Sequence, residues 1–344
     1  MRLNITILLL LTSSFCFGQD LNKIQSLYQK GNNEEVVIEG REILNEHPEN
    51  LTVNHLMGRA LTDLKKFEDA IIYLEKVIYN KTSPNWMLSW SHAYLGICYY
   101  ALDKQDEAKK NLEFAIKNNA TENSTNFANK RIQGFQLTSY FEDWEIIETD
   151  HIRFHFQNNN KIDNLKEYCN QREQAYIKIN DFFKASPYKK IDFYVWSNAK
   201  EGKKILGKEI GFANSDFCII NSKSEQTKGH EITHILSNYG IFPENKNRLI
   251  NEGVAVAFDQ TKQHRIELAK AANNKNIGIQ ELMHNSEKIE EKLIYTVGGA
   301  FIEYLLSKKD EETLKLLIKN QTWENLIALY GKETIKEFEE KIKR

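Results

Sequence analysis

The chain has 344 residues and a formal net charge of -2. That length accommodates two or three domains with sizeable cores, and the near-neutral balance excludes a nucleic-acid role driven by electrostatics. Only four prolines and charges of mixed sign argue against a long disordered linker and against an acidic or basic tail.

The N-terminus reads as an export signal. In "MRLNITILLLLTSSFCFGQD" the positive Arg2 precedes an apolar run from Ile5 to Leu11, which is too short to span a bilayer. Small residues follow, and cleavage is expected near Gly18, giving a signal peptide over residues 1–18. Lipid attachment at Cys16 is the alternative, and the bulky Phe15 before it fits that poorly. The expected location is therefore outside the cytoplasm, in the periplasm or cell envelope or secreted, with any membrane association through an anchor rather than a span. Cys98, Cys169 and Cys218 are too few and too scattered for a disulfide framework and are expected as small buried hydrophobes. A Cys169–Cys218 bridge has no support from spacing.

From Leu21 to about Asn119 apolar residues recur at helical spacing, without strand-like alternation. The stretch repeats itself. Gly58, Ala70, Leu74 and Val77 stand at offsets of twelve, sixteen and nineteen, and Gly96, Ala108, Leu112 and Ala115 repeat them. Ile24, Val36, Gly40 and Ile43 make a weaker first copy, with Pro48 five residues on to stop the second helix. Small residues at these positions let two antiparallel helices approach closely. A helix from about Thr121 to Gln136 is expected to close the stack, since an open end would expose core. Trp86, Trp90 and Tyr94, four apart, form either a recognition stripe or a core face, and core is expected for most of them.

After Tyr140 the pattern changes. "HIRFHF" alternates, with Ile152, Phe154 and Phe156 on one face and His151, Arg153 and His155 on the other, as in a half-buried strand. The two histidines are expected on its solvated face, with metal ligation as the other reading. A helix from roughly Ile162 to Lys184, a strand "KIDFYVWS" and a third strand from Gly211 to Asn221 follow. Strands and helices in that order imply an α+β domain.

The next segment is "TKGHEITHILSNYG". On a helix, His230 and His234 lie one above the other and can present both imidazoles to one metal ion. Glu231 sits beside the water such an ion would carry and can take its proton. A catalytic zinc site needs a third protein ligand. Glu252 lies in the apolar run "RLINEGVAVAFDQ", where a bare carboxylate is costly to bury and an ion would be its partner. The competing reading for Glu252 is a salt bridge, with Arg248 as candidate.

H-E-x-x-H followed by N-E-G-x-A resembles the gluzincins, the zinc peptidases whose third ligand is glutamate, and most closely the aminopeptidase N and leukotriene hydrolase branch and the bacterial peptidase MA-like domains. The resemblance implies Zn2+ held by His230, His234 and Glu252, with Glu231 as general base. The spacer between His234 and Glu252 has seventeen residues, one fewer than is usual in the aminopeptidases. "YTVGGAFIEYLLSK" resembles the Tyr-x-x-Gly start of a later helix in that branch, which implies that Tyr295, with Gly298, donates a hydrogen bond to the oxyanion. Asp259 is expected either to orient a ligand histidine or to be a solvated helix-end carboxylate. The likeness also implies that an edge strand over "GFANSDFCII" pairs with substrate. A Gly-x-Met-Glu-Asn segment of the kind that grips a free N-terminus is missing, which favours an endopeptidase. The N-terminal stretches "LMGRALTDLKKFEDAIIYLEKVI" and "YLGICYYALDKQDEAKKNLEFAI" resemble tetratricopeptide repeats, which usually hold a peptide or protein partner.

The expectation is an all-α tetratricopeptide-like repeat domain over residues 19–138, then an α+β zincin-like peptidase domain over 139–344. Its substrate would be a peptide or protein, with a protein partner on the repeats and no nucleic acid. The alternative is a non-catalytic scaffold that keeps a vestigial zinc site and works through its repeats.

Overall fold

The computed structural model describes residues 20–158 and 160–344; the expected signal peptide lies outside them. The chain divides into two compact units after Glu142.

The first unit is a stack of helices: α1 (20–29), α2 (Asn33–Glu46), α3 (Leu51–Asp63), α4 (Phe67–Tyr79), α5 (Asn85–Ala101), α6 (Gln105–Asn118) and α7 (Glu122–Gly134). From α2 on, each helix packs on the next, and α3, α5 and α7 also touch in turn. Asn50 and Thr121 cap α3 and α7 through their side-chain oxygens, satisfying amides that the first turn leaves unpaired. The repeat seen in the sequence is a packing repeat. A Cβ on Gly58 would lie 2.5 Å from Leu74 Cγ, and one on Gly96 the same distance from Leu112 Cγ. In the first pair the sizes are exchanged. Gly40 occupies the position of Leu74, and its large neighbours are Ile24, at the position of Gly58, and Met57. The turn inside each pair holds a left-handed residue at one shared offset: Gly31, Lys65 and Asp103. Core was expected for most of Trp86, Trp90 and Tyr94, but only Tyr94 is buried; Trp90 is half-buried and Trp86 is 44% exposed.

The second unit is built on a five-stranded sheet of order β1-β2-β3-β5-β4. β2 (Ile152–Phe156), β3 (Ile191–Trp196) and β5 (Ile219–Lys223) run parallel; β1 (Glu145–Glu148) and β4 (Phe212–Asn214) close the edges antiparallel. β1 is a strand the sequence does not announce, and the single strand expected from Gly211 to Asn221 is two, β4 and β5. The polar run Asn214-Ser215-Asp216 instead opens a turn, and Cys218, at φ +53°, reverses the chain into β5. α8 (Leu165–Phe183) connects β2 to β3, and α9 (Ala199–Leu206) leads toward β4. Ile152, Phe154 and Phe156 of β2, Ile191, Phe193 and Val195 of β3, and Ile220 of β5 join a core that includes α8.

The histidine face of β2 divides: His151, just before the strand, is exposed as expected, whereas His155 is buried. His155 is 4% exposed, stacks on Tyr194 at 4.2 Å and lies 3.0 Å from Asp192, which is itself wholly buried beside Lys189. A central parallel strand is covered on both faces, so its alternate residues bury too. His151 pairs with Glu173 at the strand's start. Among the described residues, neither histidine belongs to a cluster that could hold a metal ion. Cys98, Cys169 and Cys218 are buried thiols, with Cys218 Sγ 3.4 Å from Tyr239 Oη, and no Cys169–Cys218 bridge forms.

After the sheet come α10 (His230–Ile241), α11 (Arg248–Ala257), α12 (Arg265–Ala272), α13 (Ile279–His284), α14 (Glu291–Lys308), α15 (Glu311–Lys319) and α16 (Trp323–Ile342). α10 packs on α8, with Gly240 close against the Phe183 carbonyl, and buries Ile232, Ile235, Leu236 and Tyr239 in the core.

Candidate metal centre

α10 starts at His230, so the whole H-E-x-x-H pattern lies in its first two turns. The helix ends at Phe242, left-handed at φ +55°, and the chain returns through a loop whose Asn247 is fixed on both sides. The Asn247 amide nitrogen donates to Met283 O, its backbone N–H donates to Gln321 Oε1, and its side-chain oxygen caps α11. α11 buries Leu249, Ile250 and Val254 and turns Glu252 toward α10.

There the three predicted ligands meet. Glu252 Oε2 is 3.3 Å from His230 Nε2 and 3.4 Å from His234 Nε2. The three donor atoms lie within 4.8 Å of one another. Two ligands each bound about 2.0–2.1 Å from one ion at a tetrahedral angle are about 3.3 Å apart. Glu252 Oε2 is buried and receives no hydrogen bond of good geometry, so as a simple acceptor it would be an orphan. Two imidazole nitrogens and one carboxylate oxygen are a donor set suited to zinc. Burial alone would raise the Glu252 carboxyl, but the two imidazoles hold it well below its ordinary value, in the form a cation binds. The proposed Arg248 salt bridge is not made; Arg248 donates to the backbone carbonyls of Ser286 and Ile289.

Why Glu252 and Tyr295 stand together is answered by two glycines. A Cβ on Gly253 would lie 2.6 Å from Gly298 O, and a Cβ on Gly298 would lie 2.7 Å from Leu249 O. α11 and α14 therefore touch backbone to backbone, which only residues without a side chain allow. Glu252 precedes one glycine, and Tyr295 stands one turn before the other. The Tyr295 ring is 5.4 Å from that of His230. Burial pushes its phenol above the usual range, with the Glu252 charge adding to it, so it stays a protonated donor.

Glu231 is 4% exposed and accepts a hydrogen bond from Gln226 Nε2 at 2.8 Å on its Oε1. Burial pushes its carboxyl up, against the pull of His234, His230 and Gln226. The sequence reading missed two supports. Gln226 is one; Asn251 is the other, its amide 3.4 Å from His234 Nδ1. Asn251 had a signal, since it is the Asn of N-E-G. Gln226 stands in a loop and had none. Asp259 fits neither of its expected roles. It is buried, paired with Arg265 at 2.9 Å and bonded to Thr261.

His230, Glu231, His234, Asn251, Glu252 and Tyr295 line a cleft of about 220 Å³ that also includes Phe212 and Ala213 of β4. A larger cavity of about 940 Å³, lined by Asn247, Met283 and Trp323, shares Lys246 with it. The titratable cluster belongs to the smaller one. No protein-family model matches the chain, and no curated protein matches it.

Proposed function

We propose that the chain is a zinc-dependent endopeptidase of gluzincin type, exported, with tetratricopeptide-type repeats that recruit a peptide or protein partner. The observation that carries this is the convergence of His230, His234 and Glu252 at tetrahedral-edge distances, with the Glu231 carboxylate on the same helix.

Zinc held there would supply a Lewis acid that polarises the scissile carbonyl and lowers the pKa of water. The chain supplies the rest. With Oε1 held by Gln226, Glu231 takes the proton of the attacking water on Oε2. The water oxygen joins the carbonyl carbon, the C–N bond breaks, and the same proton passes to the leaving amine nitrogen. Tyr295 Oη donates to the oxygen on which negative charge develops. β4 is an edge strand at the cleft, and its unpaired edge can add an extended peptide as a further strand. The neighbouring cavity at Lys246 gives that peptide room to continue, which supports cleavage within chains. The common packing offsets and turn positions of the helix pairs support the repeat assignment.

The test is zinc content and hydrolysis of fluorescein-labelled casein by wild type and Glu231→Gln. Zinc in both proteins with hydrolysis only in wild type is expected. Zinc in both with hydrolysis in neither would favour the scaffold, and hydrolysis unchanged in Glu231→Gln would sink the mechanism.

A further inference from the structure

Gln226 lies in the loop between β5 and α10, four positions before His230. Its amide is gripped from one side. Oε1 accepts from the Lys223 backbone N–H at 3.3 Å and from the Ser222 hydroxyl at 3.1 Å. A backbone N–H can only donate, so the oxygen must face β5 and the nitrogen must face away. That nitrogen meets Glu231 Oε1 at 2.8 Å. Space for the amide is left by Gly211, at φ +111°, where a Cβ would fall 2.9 Å from Nε2. Gly211 N–H in turn donates to Asn221 O at 2.9 Å. The start of β4, the end of β5 and the amide of Gln226 thus form one connected support behind Glu231.

We infer that Gln226 is a positioning residue for the base: it occupies Oε1 of Glu231 and so fixes Oε2 as the proton-accepting oxygen. The inference rests on the peptidase reading above. A carboxylate hung from a helix by rotatable bonds has no reason to keep one orientation. A single donor whose own amide cannot flip supplies that reason, and misplacement of a reacting group by a fraction of an ångström is costly to rate.

The test compares Gln226→Met, which keeps length and removes the donor, with Gln226→Glu, which sets a second carboxylate against Glu231. For Gln226→Met, kcat on labelled casein is expected to fall roughly tenfold to a hundredfold, the loss of one hydrogen bond to a charged group. KM and zinc affinity are expected to stay within about twofold of wild type, as an orienting role requires. Gln226→Glu is expected to fall further, which loss of packing alone does not predict. A second readout needs no substrate. In protein labelled with ¹⁵N-glutamine, the Gln226 side-chain amide is assigned by its loss in Gln226→Met, and its protons are expected to shift and exchange faster in Glu231→Ala. Wild-type kcat in Gln226→Met beside an inactive Glu231→Gln overturns the inference and leaves the peptidase reading intact. An amide resonance indifferent to Glu231→Ala also overturns it. Absence of Glu231-dependent hydrolysis in wild type overturns the peptidase reading instead, and the amide resonance then decides whether the two side chains are joined.

Discussion

Zinc should stabilise the second unit by an amount set by mass action, and Glu252 should control it. The unit has about 200 residues. A ligand that binds only the folded state contributes about 2.7 kcal/mol at one hundred times its Kd. For a domain of 150–250 residues each kcal/mol moves the midpoint by about 2–4 °C. The expected shift of the zinc-responsive transition is therefore roughly 5–11 °C between chelator and zinc at that concentration. Glu252→Gln keeps the side chain's shape and removes the charge on Oε2, the atom both imidazoles face at 3.3 and 3.4 Å. A Kd weakened by about a hundredfold leaves only about 0.4 kcal/mol at the same zinc concentration, about 1 °C. The assay is calorimetry of the full mature chain, with zinc Kd measured by competition against a chromophoric chelator. A wild-type midpoint indifferent to zinc, or a Glu252→Gln midpoint that rises as far as wild type, would refute the ligand assignment.

Gly298→Ala should weaken zinc binding by parting α11 from α14, since its Cβ would fall 2.7 Å from the Leu249 carbonyl oxygen, an atom that cannot rotate aside. Tyr295→Phe, which keeps the helix contact, should leave zinc affinity as it is and lower kcat alone. In the helical stack, Gly58→Ala should cost about 1–3 kcal/mol by overpacking Leu74. Urea melts of Gly58→Ala, Leu74→Ala and the double variant should show a double cost well below the sum of the singles. His55 is buried, with Nδ1 2.9 Å from Ser91 Oγ; burial first and then Arg59 bring its pKa down to about 3. The folded state thus refuses a proton that the unfolded state takes below about pH 6.5, so stability is full above that pH and falls as pH drops toward 3. Relative to His55→Gln, wild type should lose on the order of 2 kcal/mol between pH 7.5 and 4.5 in urea melts; parallel pH profiles would refute this.

The parts of this chain that were legible are those whose meaning is local. Two histidines four apart need only a helix to meet, and the helix is written in Ile232, Ile235 and Leu236. Glu252 was legible because an acid in an apolar run needs a partner. The offsets of Gly58 and Gly96 were legible because they recur. What was missed depends on contacts between elements. His155 reads as the outward residue of an alternating strand, and only the neighbour relation of β2 and β3 brings Asp192 and Tyr194 over it. β4 and β5 read as one strand because Ala213, Phe217 and Ile219 continue the apolar pattern through the turn. Gln226 carries no periodic signal, since a loop residue is placed by what it touches.

The two motif fragments that looked separate, N-E-G and Y-x-x-G, are the two halves of one contact. Each glycine admits the other's helix, so neither works alone: a side chain at Gly253 strikes the Gly298 carbonyl, and one at Gly298 strikes the Leu249 carbonyl. The contact sits one residue from Glu252 and one helical turn from Tyr295, so both side chains are referred to the same point of backbone. His230 and His234 are fixed by a different element, α10, packed on α8. A ligand set drawn from two rigid supports can be closed only if the second arrives at the right height, and the glycine contact sets that height for α11 and α14 together. The cost is tolerance: these are backbone-to-backbone distances, with no side chain able to yield. Replacements there should damage the centre more than a replacement at Asn251, whose contact to His234 Nδ1 is 3.4 Å and is made by a side chain that can turn.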